Sequence, residues 1–324
     1  MNNYRRFDSL DRKRMALAPA LLLAWLFASP AFAQPSYTVD LGVFVNSQGV
    51  FEGSTPGETS SNSVSVSQLY QLPGATGFGS AAAGPGSLAV IGSAVYSVID
   101  PTNETSAQGV ATAISTVDDL VFSGVGTLNG VFLMLDLTGS MSVFGTASVA
   151  TSSLTLSFKL QNQSFDAFRT VQLPAFFFVD GVLDGIWPQG VSTFSGPLLV
   201  GPFNNVPTNT NLSLRMSMSV SPGAFIFPNF PAVVGNAASA QGDLGNTLSF
   251  TSSGPVFSTD DPNFISVNSV QASIVNGIWT GSPVSASPIP GPPEVPALNV
   301  GMSLLLALLI VSSAMVLRFW ARAA

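Results

Sequence analysis

Histidine and cysteine are both absent from the chain, and that removes most of the side-chain chemistry available to a protein. Without them there is no Ser-His-Asp triad, no Cys-His pair and no metal site built on imidazole or thiolate. A short set of candidates remains. Ser157 and Lys159 stand two residues apart, which on a strand places both on one face, as a Ser-Lys nucleophile pair would require. A solvated strand face explains the same two residues, since nothing nearby marks Lys159 as buried. Asp118 with Asp119, or Asp180 with Asp184, would offer the paired carboxylates of a glycosidase. That chemistry needs a set separation between the two acids, which closeness in sequence does not supply, and turn or edge positions account for both pairs. Asp180-Gly181 and Asp184-Gly185 also offer oxygen ligands to calcium, but they fit no recognised loop pattern. The reading is of a chain with no catalytic residue, no metal ligand and no cofactor, and so not an enzyme.

Binding needs different residues. Sugar recognition uses exposed aromatic platforms, and Trp25 and Trp320 lie in the terminal segments, leaving Trp187 and Trp279. Trp187, within Gly185-Ile186-Trp187-Pro188, reads as a loop residue and is the better sugar platform, with core packing as the competing explanation. The sequons at Asn103, Asn162 and Asn211 are what chance gives in a chain this rich in Asn, Ser and Thr. Charged residues make up 8% of the chain, against roughly 25% in average soluble domains. Between residues 34 and 298 the cations are Lys159, Arg169 and Arg215, against fifteen carboxylates, a net charge of −12. Such a surface cannot neutralise a run of phosphates, which excludes nucleic acid as a partner. With no cysteine, stability must come from the core.

The elements that carry these residues read as β. Leu212, Leu214, Met216, Met218 and Val220 alternate with Ser213, Arg215, Ser217 and Ser219. Tyr37, Val39, Leu41, Val43 and Val45 repeat the pattern, as do Val131, Leu133, Leu135 and Leu137, and Leu154, Leu156, Phe158 and Leu160. One apolar face and one Ser/Thr face fit antiparallel sheets with a wet side. Turn clusters fall at 84–86, 139–140, 201–205 and 260–263. Strands without alternating helices predict an all-β ectodomain, an antiparallel β-sandwich or jelly roll, over residues 34–280. Residues 175–179, with Phe176, Phe177 and Phe178, read as a doubly buried strand or a partner surface. Residues 281–298 carry prolines at 283, 288, 290, 292, 293 and 296, and read as an extended spacer ending in a tag.

The ends carry addresses. Arg5, Arg6, Arg12, Lys13 and Arg14 precede an apolar stretch over residues 15–27, too short to span a bilayer. Ala31-Phe32-Ala33 supplies small residues for signal peptidase, so residues 1–33 read as a signal peptide cut between Ala33 and Gln34. Arg5-Arg6 invites a twin-arginine reading, which Phe7 and Asp8 do not support. Residues 300–317 form an uncharged apolar run of 18 residues, about 27 Å long as a helix and enough to cover a hydrocarbon core. Arg318 and Arg322 follow as a stop-transfer end, held on the cytoplasmic side by the positive-inside bias, so residues 299–324 read as one transmembrane helix with a basic tip.

Tag, apolar helix and Arg-rich end together resemble the C-terminal sorting signals of the PEP-CTERM class and its relative with an Ile-Pro-Thr-Leu tag. Val295-Pro296-Ala297-Leu298 matches the Ile-Pro-Thr-Leu form conservatively, and Gly301 falls near that form's usual glycine. Val300 stands where that class commonly has Trp, and Pro293-Glu294-Val295 replaces a Pro-Glu-Pro triplet. The residues 72–77 have a passing likeness to a sortase LPxTG motif, but lie far from the tail with one residue too many. A softer likeness, to late strand-turn segments of ectodomains with such tails, runs over residues 242–248. The resemblance implies a Gram-negative exported protein, anchored in the inner membrane by its tail, whose tag is cut on the outer side by an exosortase-type transpeptidase. It further implies a non-enzymatic surface or matrix protein associated with exopolysaccharide or biofilm. A carbohydrate-binding β-sandwich module using Trp187 is the alternative.

Overall fold

Alternating apolar and Ser/Thr residues can bury their apolar half by pairing strands edge to edge and covering one face. The computed structural model describes residues 34–47, 50–98, 106–145, 149–179, 182–183, 190–225 and 237–289. Of these, 75% are in strands and none in a helix, and the sheets are antiparallel. The first sheet contains β1 (Ser36–Ser47), β2 (Val50–Ser54), β3 (Gly57–Ser60), β7 (Ser106–Gly124), β10 (Val149–Gln161), β11 (Asp166–Val179), β12 (Val182–Leu183), β15 (Asn211–Val220), β16 (Gly223–Phe225) and β19 (Phe264–Asn268). The second contains β4 (Val64–Leu72), β5 (Ala75–Gly84), β6 (Ser87–Ser97), β9 (Val131–Gly145), β13 (Gly190–Phe203), β17 (Ala237–Phe250) and β18 (Phe257–Ser258). Two short ladders join β8 (Thr127–Leu128) to β14 (Val206–Pro207), and β20 (Ile274–Val275) to β21 (Ile278–Trp279).

The first sheet runs in the order β12-β11-β10-β15-β7-β1-β2, and the second in the order β13-β9-β17-β6-β5-β4. The four alternating runs are β15, β1, β9 and β10, and their apolar residues are all buried in a single core shared by both sheets. That arrangement is sandwich-like. The central strand β7 is the longest, yet its inward residues Ala107, Gly109, Ala111, Ala113 and Ser115 are small. Small residues there let the sheets approach closely. A Cβ placed on Gly109 would lie 2.1 Å from the Phe78 carbonyl oxygen, and one on Gly92 would lie 2.2 Å from the Gly109 carbonyl oxygen. Backbone therefore packs directly on backbone where β5 and β6 cross β7, a contact closed to any residue larger than glycine.

Two expected turns shift. Gly139 and Ser140 lie inside β9, which runs straight through them. The irregularity is instead in the partner strand β17, which loses register between Asp243 and Leu248. Its Asp243 carbonyl oxygen would stand 2.6 Å from a Cβ on Gly139, so that glycine accommodates a bulge and does not make a turn. At residues 201–205, β13 continues to Phe203 and the reversal falls on Asn204 and Asn205, with Asn205 at φ 57. The turns at 84–86 and 260–263 are present, the first as the hairpin between β5 and β6.

Residues 281–289 join no strand. The early part of this proline-rich segment nonetheless lies on the body. The Val284 N–H donates to Ser87 Oγ (3.0 Å), the Ala286 N–H donates to the Gly245 carbonyl (3.0 Å), and Ala286 is buried. A chain without side-chain charge can dock this way because its backbone donors remain wherever proline does not remove them.

Candidate functional site

The outer face of the first sheet is carpeted with hydroxyls, and neighbours on it bond to each other, as Thr112 Oγ1 and Ser219 Oγ do at 2.9 Å. Two places on that face break the pattern. At one end β16 continues the lane of β15 beyond Ser221 and Pro222, pairing with both β7 and β10. Register sets Phe44 of β1 opposite Gln108 of β7, Gln108 opposite Gly223 of β16, and Gly223 opposite Thr151 of β10. Gly223 contributes no side chain, so the row has a gap in its middle, and a hollow of about 530 Å³ opens there. Phe44 and Phe51 wall it as a stacked pair with ring centroids 5.9 Å apart and planes 20° apart, and Phe225 stands opposite. Phe51 is 66% exposed. Flat apolar rings beside an amide and hydroxyls suit the mixed faces of a sugar ring, whose C–H face stacks while its hydroxyls hydrogen-bond.

Strand alternation alone gives little sign of that hollow. Its signal was the outward parity of β1, where Thr38, Asp40, Gly42 and Asn46 are joined by Phe44, an aromatic residue on the wet side. The expected platform, Trp187, lies outside the described residues, as do Asp180 and Asp184. Trp279 is buried, edge-on to Phe250 at 6.0 Å and 81°.

The other candidate chemistry resolves into structural roles. Asp119 accepts from the backbone N–H groups of Val270 (2.8 Å) and Gln271 (3.0 Å) and from the Ser269 hydroxyl. Asp118 gives its own N–H to Gln271 Oε1 at 2.8 Å. The pair thus clamps the turn at 269–272 onto β7. Close by, the Tyr37 hydroxyl donates to the Gln271 carbonyl at 3.3 Å. Burial of the phenol, and then the Asp119 charge, push its pKa from 10.0 up to about 12. Asp261 fixes another turn, accepting from the N–H groups of Asn129 and Asn263 (both 3.0 Å), and these bonds lower its pKa.

Ser157 and Lys159 do share an outward face, and both line a second hollow. Lys159, however, pairs with Asp166 at 3.1 Å. Arg169 turns the other way, with its guanidinium 5.4 Å over the Phe203 ring, donating to the Phe168 carbonyl at 2.8 Å and to the Pro202 carbonyl. The expected cleavage residue Ala33, the expected tag at 295–298, the apolar run at 300–317, Arg318 and Arg322 lie outside the described residues, and so do the side chains of 173–179. No protein-family model matches the chain, and no curated protein matches it.

Proposed function

We propose that this chain is an exported, tail-anchored surface or extracellular-matrix protein, processed by an exosortase-type enzyme and associated with exopolysaccharide. One observation carries the reading: a basic stretch with a short apolar run and a small-residue site, a β-patterned body, a proline-rich spacer ending at 295–298, an uncharged apolar run and two arginines follow one another in that order. The hydrogen bonding of Asp119 and Asp261 supports a non-enzymatic body, because these carboxylates are engaged in holding turns. N-terminal sequencing of the exported protein tests the address. Export predicts Gln34 as the first residue; a start at residue 15 or earlier would contradict it.

The aromatic hollow favours a second reading, a carbohydrate-binding module. Its test is a glycan array probed with the full-length chain. Specific binding lost in Phe51→Ala supports that reading, and binding that survives Phe51→Ala removes the hollow from it.

A further inference from the structure

Of the three cations between residues 34 and 298, Arg169 is occupied by Phe203 and two carbonyls. The other two, Lys159 on β10 and Arg215 on β15, lie directly opposite each other in register on the outer face. Like charges in opposed positions destabilise a sheet. With fifteen carboxylates over the same region, opposite charges were plentiful, yet the two cations stand together. Asp166 offsets part of the repulsion at Lys159, and Arg215 has no ion pair among the described residues. The pair belongs to a longer row, since Phe168 of β11 opposes Lys159 and Thr116 of β7 opposes Arg215. Adjacent strands lie about 4.8 Å apart, so the row from Phe168 to Thr116 runs about 14 Å across the sheet. Phe168 is 56% exposed. A hollow of about 140 Å³ lies among Phe168, Lys159 and Arg215, and Ser157 and Ser217 add hydroxyls to its lining.

We infer that this row binds a carboxylated glycan through one or two uronic acid residues lying across the strands, because its two cations match one or two carboxylates and not the run of phosphates that the surface as a whole excludes. The inference rests on the reading of the protein as exopolysaccharide-associated and names the chemical class of that polysaccharide. Each component has a task. The Arg215 guanidinium and the Lys159 ammonium take sugar carboxylates by charge-assisted hydrogen bonds. The Phe168 ring takes the C–H face of a neighbouring sugar, and Ser157, Ser217 and Thr116 supply hydroxyls to its ring substituents. Asp166 holds Lys159 in place while the site is empty, and a surface ion pair of this kind is weak enough to exchange for a ligand carboxylate. Apart from this pair, residues 34–298 hold one cation against fifteen carboxylates, which repels an anionic glycan elsewhere on the surface.

The test titrates full-length protein in detergent micelles with labelled oligogalacturonate, and with the same oligomer after methyl esterification, which keeps the sugar and removes the charge. The acid should bind, and affinity should fall about tenfold or more on esterification and likewise in the double variant Lys159→Gln/Arg215→Gln. Phe168→Ala should weaken binding of the acid, and Asp166→Asn should strengthen it about twofold to threefold. The double variant should unfold at the same temperature as wild type or higher, since it loses a like-charge pair, so lost binding cannot be ascribed to lost folding. Equal binding of acid and ester, or wild-type affinity in the double variant, would overturn the site. The two readings fail separately. Export without binding sinks this site alone, whereas binding by a chain that stays inside the cell sinks the surface role.

Discussion

Replacing Asp119 by Ala removes the acceptor for the Val270 and Gln271 N–H groups and for the Ser269 hydroxyl. Hydrogen bonds to a charged acceptor are worth about 1.5–3 kcal/mol each before rearrangement, so urea unfolding should show a loss of about 2–3 kcal/mol. Asp118→Ala should stay within about 0.5 kcal/mol, since Asp118 serves this turn through its backbone. Equal losses from the two would contradict the clamp. Tyr37 gives a pH signature. The unfolded chain releases this proton near 10.0 and the folded chain near about 12. Across that window the unfolded state holds fewer protons, so stability present below 10.0 is lost as pH rises to about 12. In Tyr37→Phe that part of the alkaline fall should disappear; an unchanged profile would show that Tyr37 titrates alike in both states. Neither role was legible in the sequence, because the turn at 269–272 meets Asp119 across some 150 residues and Tyr37 across 234.

The elements were legible where inward residues are large. β1, β9, β10 and β15 declare themselves by Leu, Val, Met and Phe at alternate positions. β7 pairs with β1, β15, β16 and β19, yet its inward Ala, Gly and Ser residues dilute the same period to near invisibility. Its composition follows from a contact that sequence does not display, the close crossing of β5 and β6. Gly109→Ala would set a methyl 2.1 Å from the Phe78 carbonyl oxygen, and backbone cannot yield as a side-chain tip can. A loss of about 1–3 kcal/mol or more is expected, read as a lowered thermal midpoint. Gly223→Ala, facing only the Thr151 and Phe225 side chains at 3.3 and 3.5 Å, should cost much less. If Gly109→Ala were equally mild, the sheets would not be packed backbone on backbone there. The misplaced turn at Gly139 has a related cause, since a glycine that admits a partner's bulge looks in sequence like one that reverses the chain.

At the scale of the whole chain, composition spoke clearly about class and little about contacts. Few charges, no histidine, no cysteine and abundant Ser and Thr leave no imidazole or thiolate chemistry and a surface poor in cations. The same numbers were silent on Lys159 and Arg215 standing opposite while Arg169 turns away, because register alone decides which residues face each other. The proposed role is carried by the order of segments along the chain, and the tail is where its physics is sharpest. Moving each arginine through the bilayer centre costs about 2.5–3.5 kcal/mol on insertion scales. In the proposed role Arg318 and Arg322 halt the chain with the tag on the outer side, within reach of a processing enzyme. Processing at the tag is tested by deleting residues 295–298 in the native host and comparing the mass and membrane partition of the mature protein with wild type. Cutting at the tag gives a larger form of the deletion variant, retained in the membrane, beside a smaller wild-type form released or transferred from it. A deletion variant lighter than wild type by only the four deleted residues, with identical partition, would contradict it and leave residues 299–324 as an ordinary anchor.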